Sequence, residues 1–532
     1  MRSSSPAGIV AGFVLAAALL TAPLVASAAP MRGGKLIFGR YADSIFLDPV
    51  LNDSNQDIWI LTNLYDTLLA PTNDGQSVQP SLATKWEVRD NNLTVVVTLR
   101  EGVKFADGSP LTAQDVKWSL DRARDPKAGA WNFTLESVDT IDIPDPSTVV
   151  LKLKHPDPTI LPALATFNAA IMPQKQFDAM PGSTMEEKAK AFAEKPIGTG
   201  PFVLASWQRD VSMLLKRNPY YWKTGEDGKA LPYVDELEFQ TIPDDATRIL
   251  KLKAGNIDGT ELIPYARVAE LKADPGLRME LWPAARLTYL TVNARPKLKD
   301  GTQNPMSDVR VRQALNYALN KDAIIKISTQ GIGTPAKSFI PSATIHFYGP
   351  APLYPYDPAK AKALLAEAGF ANGFDMTCMQ LAGSGDEANN LTAAQQMWAQ
   401  IGVRMKLEQM DAATRVARYR ADDFQCRAQF WTNDISDPSE ETSYVAYFPN
   451  VGSLHTGFQD KHIEELFLRS QQEMDATKRA ADYKEIQEIY NATGPMIPLY
   501  ETPYPVAFRT KVKGFVQIPL GNNIFEGAYI ER

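Results

Sequence analysis

Residues 374–431 limit the possible folds most sharply. They alternate strand, helix, strand, helix and strand, and the first and last runs read "FDMTCMQL" and "DDFQCRAQFW". Strands separated by single helices pair in parallel within one sheet and are covered by those helices, so the stretch predicts an α/β layer. The two cysteines of the chain, Cys378 and Cys426, fall in these two runs, which suits neighbouring strands of one sheet.

The N-terminus bears on the state of those cysteines. Ile9–Leu20 is an almost uninterrupted apolar run behind Arg2, and Ala26-Ser27-Ala28 places small residues at the −3 and −1 positions of an export cleavage site. A run of about twelve residues is too short to span a bilayer core of roughly 30 Å. Residues 1–28 therefore predict a signal peptide cleaved near Ala28, without a cysteine there for lipid attachment. In an oxidising compartment, Cys378 and Cys426 are expected to form a disulfide. The remaining length exceeds one hydrophobic core and implies two or three domains. The formal net charge is −7 with no basic cluster, which argues against a nucleic-acid partner.

Local patterns fill in elements. Residues 81–100 read as a hairpin around Asp90-Asn91-Asn92. Thr112 with Asp115 three positions later opens a helix, and Gly255 fits a helix C-terminus. "NLYDTLLAP" (63–71) reads as a short amphipathic helix. Residues 307–326 read as one helix behind an Asp308 cap, and 356–370 as another with Asp357 as cap and Pro358 in the first turn.

Catalytic signatures are missing. The four histidines, His155, His346, His455 and His462, do not give metal-ligand spacing. Ser384 in "AGSGD" lacks the outer glycines of a nucleophile elbow, and "GTGPF" and "GIGTP" fail the dinucleotide pattern. No catalytic residue, metal or cofactor is expected. An exported α/β protein of several domains without such chemistry is expected to capture a solute in a cleft.

Seven segments, in order, carry a resemblance: "LREGVKFADGSPLTAQDVKWSLDR", "KPIGTGPF", "NPYYWK…LPYVDELEF", "LKAGNID", "DVRVRQALNYALNKDAIIK", "YDPAKAKALLAEAGF" and "KVKGFVQIPLG". The chain resembles the periplasmic dipeptide- and oligopeptide-binding proteins of ATP-binding-cassette importers, solute-binding protein family 5, most of all the dipeptide-binding branch. The resemblance implies an α/β fold of the class II (cluster C) periplasmic-binding-protein type, with two hinged lobes and an extra domain. Lobe I would take 29–75, 196–289 and the C-terminal return 496–532, the extra domain 76–195, and lobe II 290–495. It also implies a periplasmic, monomeric receptor that performs no chemistry and delivers a small peptide or peptide-like solute to a membrane-embedded permease.

The resemblance assigns roles to residues. In peptide-binding relatives an aspartate shortly after a Trp-containing strand pairs with the peptide's α-ammonium. "FWTNDISDP" (430–438) puts Asp434 in that role, with Trp431 as a flat wall and Asn433 between them. "RYADSIFLDP" (40–49) matches a pocket-lining loop and adds Ser44 and Ile45. Asp437-Pro438-Ser439-Glu440 reads as a helix start, so Asp437 is expected to be structural. One departure stands out. Dipeptide-specific relatives carry a carboxylate-gripping arginine soon after the strand that here holds Cys378, whereas this chain has Leu381 near that place. The ligand is then a longer peptide or another amine-bearing solute, unless Arg415 or Arg418 compensates from the next helix. Opine-like conjugates, nickel complexes and oligosaccharides are the alternative ligands. A secreted hydrolase and a chaperone-like peptide binder are the alternative classes.

Overall fold

The 374–431 stretch forms the layer its pattern predicts. In the computed structural model, which describes residues 30–52 and 54–531, Phe374–Leu381 pairs in parallel with Val403–Met410. It also pairs in parallel with Cys426–Thr432, Cys378 lying opposite Cys426. The helices Gly385–Ala399 and Ala412–Arg420 make the crossovers. This register brings the cysteines together, and they are bonded with their Cα atoms 4.3 Å apart. The export signal expected over 1–28 lies outside the described residues. Among those described, no helix is long and apolar enough to cross a membrane.

Three more strands extend this sheet to six, in the order Thr334–Pro335, Met496–Glu501, Arg286–Val292, Cys426–Thr432, Phe374–Leu381, Val403–Met410. One face packs on Leu315, Ile324, Leu391 and Trp398 from the covering helices. A second sheet of seven strands runs Leu277–Trp282, Tyr504–Arg509, Gly259–Thr260, Lys35–Arg40, Glu236–Thr241, Ser212–Arg217, Phe202–Gln208. At its centre Phe38 meets Phe239, Phe508, Phe515 and Phe525. The third body is a four-stranded antiparallel sheet, Ala83–Arg89, Thr94–Leu99, Thr148–Leu153, Val138–Asp145. Its first hairpin turns at Asp90, Asn91 and Asn92, all with positive φ, and Thr112 and Asp115 form a reciprocal cap on Ala113–Ala123.

The chain passes between the two large sheets at 283–285 and again at 502–503. The division at 290 and 495 is thereby displaced. Arg286–Val292 bonds along its length to Cys426–Thr432, and Met496–Glu501 bonds to Arg286–Val292 rather than to the returning tail. Two helix readings are corrected as well. Residues 63–71 are not one helix: Asn55–Leu64 is helical, while Leu69–Pro71 leaves it to pair with Val78–Pro80. The helix behind Asp308 stops at Tyr317, and Asn320 caps a second one, Lys321–Ser328, by accepting from the Ala323 amide.

Candidate functional site

The two large lobes face each other across a cavity of about 1530 Å³, open in part to solvent. Tyr41, Gln56 and Leu262 line it from the seven-stranded side, Arg286, Trp431 and Asp434 from the six-stranded side, and Trp131 from the third body. Contacts cross the gap: the Gly385 amide donates to Asp245 Oδ2 at 2.9 Å, and Arg286 Nη1 donates to the Tyr265 hydroxyl at 2.7 Å.

Asp434 owes its position to the helix that follows. Asp437 caps Pro438–Val445 by accepting from the Ser439 amide at 2.9 Å. The same carboxylate is gripped by both terminal nitrogens of Arg479, at 2.6 and 2.7 Å, with both side chains buried. Burial raises the Asp437 pKa, but the Arg479 charge and hydrogen bonds outweigh it and hold the group below its ordinary value. One turn on, Glu440 Oε2 accepts from the amides of Asp434 and Ile435 at 2.8 and 2.7 Å. The loop is thus pinned at both ends, and the Asp434 side chain lies on the cavity wall.

No cation neutralises that side chain: among the described residues no lysine or arginine lies within ion-pair distance of Asp434. Burial pushes its carboxyl up to about 8. Glu440 is raised well above its usual value too, by burial first and by the Asp434 charge second. Asp434 is half-buried by accessible surface and Glu440 fully buried, and the two neighbouring acids both favour their neutral forms. A cation entering the cavity beside Asp434 would reverse that preference.

The other expected contacts divide. Trp431 lines the cavity, and its indole Nε1 donates to Asn433 Oδ1 at 2.9 Å. Asn433 itself is fully buried away from the cavity, and its amide donates to Thr344 Oγ1 at 3.0 Å. It holds the indole in place and is not among the residues that line the cavity. Ser44 and Ile45 also do not line the cavity. The Ser44 hydroxyl donates to the Gln56 carbonyl, and the Ile45 amide is drawn to Asp57 in the first turn of Asn55–Leu64, leaving its side chain on the outer surface. The neighbouring Tyr41 and Gln56 are the lining residues on this side. Arg415 reaches the cavity but is paired with Glu387 at 2.8 Å. Arg418 is held by Asp423 and Glu408.

A family model, bacterial extracellular solute-binding proteins, family 5 middle, matches residues 77–452. The chain belongs to this family. A dipeptide-binding protein of Escherichia coli K12 is 32% identical over 495 residues, spanning 88% of this chain and 89% of its own. Among solved structures, a periplasmic binding protein from Helicobacter pylori in complex with the peptide STSA superposes with a TM-score of 0.84 at 25% identity, covering 94% of this chain and 99% of that one. A binding protein of A. tumefaciens R10 in complex with agropinic acid gives 0.81 at 26%, covering 94% and 99%. The fold and the two-lobed cavity are those of this family, whose members are solute-binding proteins.

Sequence reasoning missed Arg286, Asp386 and Trp131. Arg286 opens a strand in which every residue is buried, RLTYLTV, a burial that the sequence alone does not show.

Proposed function

We propose that this protein is a periplasmic receptor that captures a short peptide or peptide-like solute between its lobes and hands it to the membrane permease of an ATP-binding-cassette importer. Asp434 carries the reading: a half-buried carboxyl on the cavity wall, with a raised pKa and, among the described residues, without a lysine or arginine in ion-pair reach, suits the α-ammonium of an enclosed peptide. An ammonium closed between lobes loses its hydration and needs such a partner. Trp431, fixed by Asn433, offers an aromatic wall to the peptide backbone or a side chain. A dipeptide-binding relative and the STSA complex of another relative support the same ligand class.

Calorimetric titration of the mature protein with di- and tripeptides tests the reading. Binding without turnover is the expected result, and N-acetylation of the same peptides should weaken it about tenfold or more by removing the charge that Asp434 meets. Release of hydrolysis products would move the protein to an enzyme class. A second reading, an opine-like conjugate, is favoured by the agropinic acid complex of a relative and by Leu381 standing where dipeptide binders place arginine. Tighter binding of such conjugates than of any peptide would select it.

A further inference from the structure

Arg286 is buried to 8% exposure at the start of its strand, on the wall of the cavity. Its guanidinium lies between two rings, 4.3 Å from the Phe430 centroid and 5.5 Å from that of Tyr504. Nη1 donates to the Tyr265 hydroxyl, while Nε has no partner. Among the described residues no carboxylate lies within ion-pair distance of it. The other arginines of the cavity are in use: Arg248 by Asp245 and by backbone carbonyls, Arg415 by Glu387. The acid whose charge reaches Arg286 is Asp386, which burial lifts to about 7 against the pull of that arginine. Asp386 is therefore substantially protonated near neutral pH and leaves the guanidinium without a full counter-charge. A buried guanidinium in this condition is costly unless an anion joins it, and its planar fork suits a carboxylate held by two parallel hydrogen bonds.

We propose that Arg286 receives the carboxylate of the ligand, so that the solute is a short zwitterion stretched between Asp434 and Arg286. The proposal rests on the reading of Asp434 for its other pole. The register limits the length. Arg286 lies opposite Thr432 on the neighbouring strand, and Asp434 follows two residues later. The strand ends at Thr432 and the chain bends at Asp434, so the Cα atoms of Arg286 and Asp434 lie no farther apart than about 8 Å, the separation that one strand spacing and two extended residues would give. At roughly 3.3–3.6 Å per extended residue, a di- or tripeptide spans that distance with its two ends, and a long peptide does not. The carboxylate grip absent near Leu381 is then supplied from a different strand.

Alanyl-leucine, alanyl-leucyl-alanine and a five-residue alanine-leucine peptide, each as free acid, C-terminal amide and N-acetyl derivative, test this by calorimetry on the mature protein. For the wild type, amidation of the two short peptides should cost about tenfold or more in affinity, and the pentapeptide should bind more weakly than either. In Arg286→Gln, acid and amide should bind alike while the loss on N-acetylation persists. Equal binding of acid and amide by the wild type overturns the proposal, as does a preference for the acid that survives in Arg286→Gln. So does a pentapeptide that binds as tightly as the dipeptide. The wild-type arm decides even if the variant does not fold. Sensitivity to amidation without sensitivity to N-acetylation would retain Arg286 and remove Asp434. Binding of no member in any form would overturn both.

Discussion

Asp434, half-buried on the cavity wall, and Glu440, fully buried behind it, both have raised pKa values, and the consequence is a stability that depends on pH. An aspartate in an unfolded chain titrates at about 3.9, whereas here burial pushes Asp434 up to about 8. The folded state therefore binds the proton more tightly than the unfolded one. The contribution to stability is lost progressively as pH rises from about 4 to about 8 and is level above that window. Asp434→Asn removes the titrating group. The melting temperature of the ligand-free variant should exceed that of the wild type at pH 8, and the gain should vanish towards pH 4. Peptide affinity should fall about tenfold or more in the same variant. A thermal scan across pH beside one titration checks both, and a variant less stable at pH 8 would contradict the burial argument. The family resemblance pointed to Asp434, which by its own surroundings reads as a loop carboxylate that the helix cap at Asp437 does not need; the structure puts it on the cavity wall. Arg286 was not legible in the sequence, since whether a lone arginine at a strand start faces solvent or a cavity depends on the opposite lobe.

At the scale of elements, the loop bearing Asp434 is only as firm as the helix start behind it. Removing Arg479 would leave Asp437 buried and without its partner, so Arg479→Met should cost roughly 3–5 kcal/mol of stability. The double variant Arg479→Met, Asp437→Asn should recover part of that loss, and chemical denaturation of the two proteins measures it. The disulfide acts on another part of the same sheet. It closes a loop of sequence separation 48, for which loop entropy gives about 4 kcal/mol as an upper figure. Replacing Cys378 and Cys426 by alanine should lower stability by about 2–4 kcal/mol and leave peptide affinity unchanged, because neither residue lines the cavity. Elements whose signals are local were readable: the caps at Thr112, Asp308, Asp357 and Asp437, and the parallel strands 374–381 and 426–432. The 63–71 segment was misread because Leu69–Pro71 is held by a partner strand, Val78–Pro80, which propensity does not reveal. Asn320 could have marked the break in 307–326, being a good cap within an otherwise helical pattern.

For the whole molecule, the relevant variable is closure of one lobe on the other about the two crossings at 283–285 and 502–503. The lobes themselves were legible through seven ordered segments. The crossings were not fixed to better than a few residues, since a strand that enters a new sheet looks locally like one that stays in the old. The cross-lobe bond from the Gly385 amide to Asp245 Oδ2 offers a handle on closure that leaves the ligand contacts intact. Gly385 is the first residue of Gly385–Ala399, behind the Ser384 cap, a position where proline is well tolerated. Ser384 has φ −90 and ψ 110, which also suits a residue preceding proline. Gly385→Pro removes the donor, brings its ring towards the Asp245 carboxylate, and spares the ion pair of Asp245 with Arg248. Such a variant should fold with a melting temperature close to the wild type but favour the open arrangement. A charge-assisted hydrogen bond is worth roughly 1.5–3 kcal/mol, so peptide affinity should fall by about tenfold or more. Small-angle scattering should show a larger radius of gyration without peptide and a larger decrease on saturation. Unchanged affinity in a folded Gly385→Pro would mean that closure does not draw on this bond.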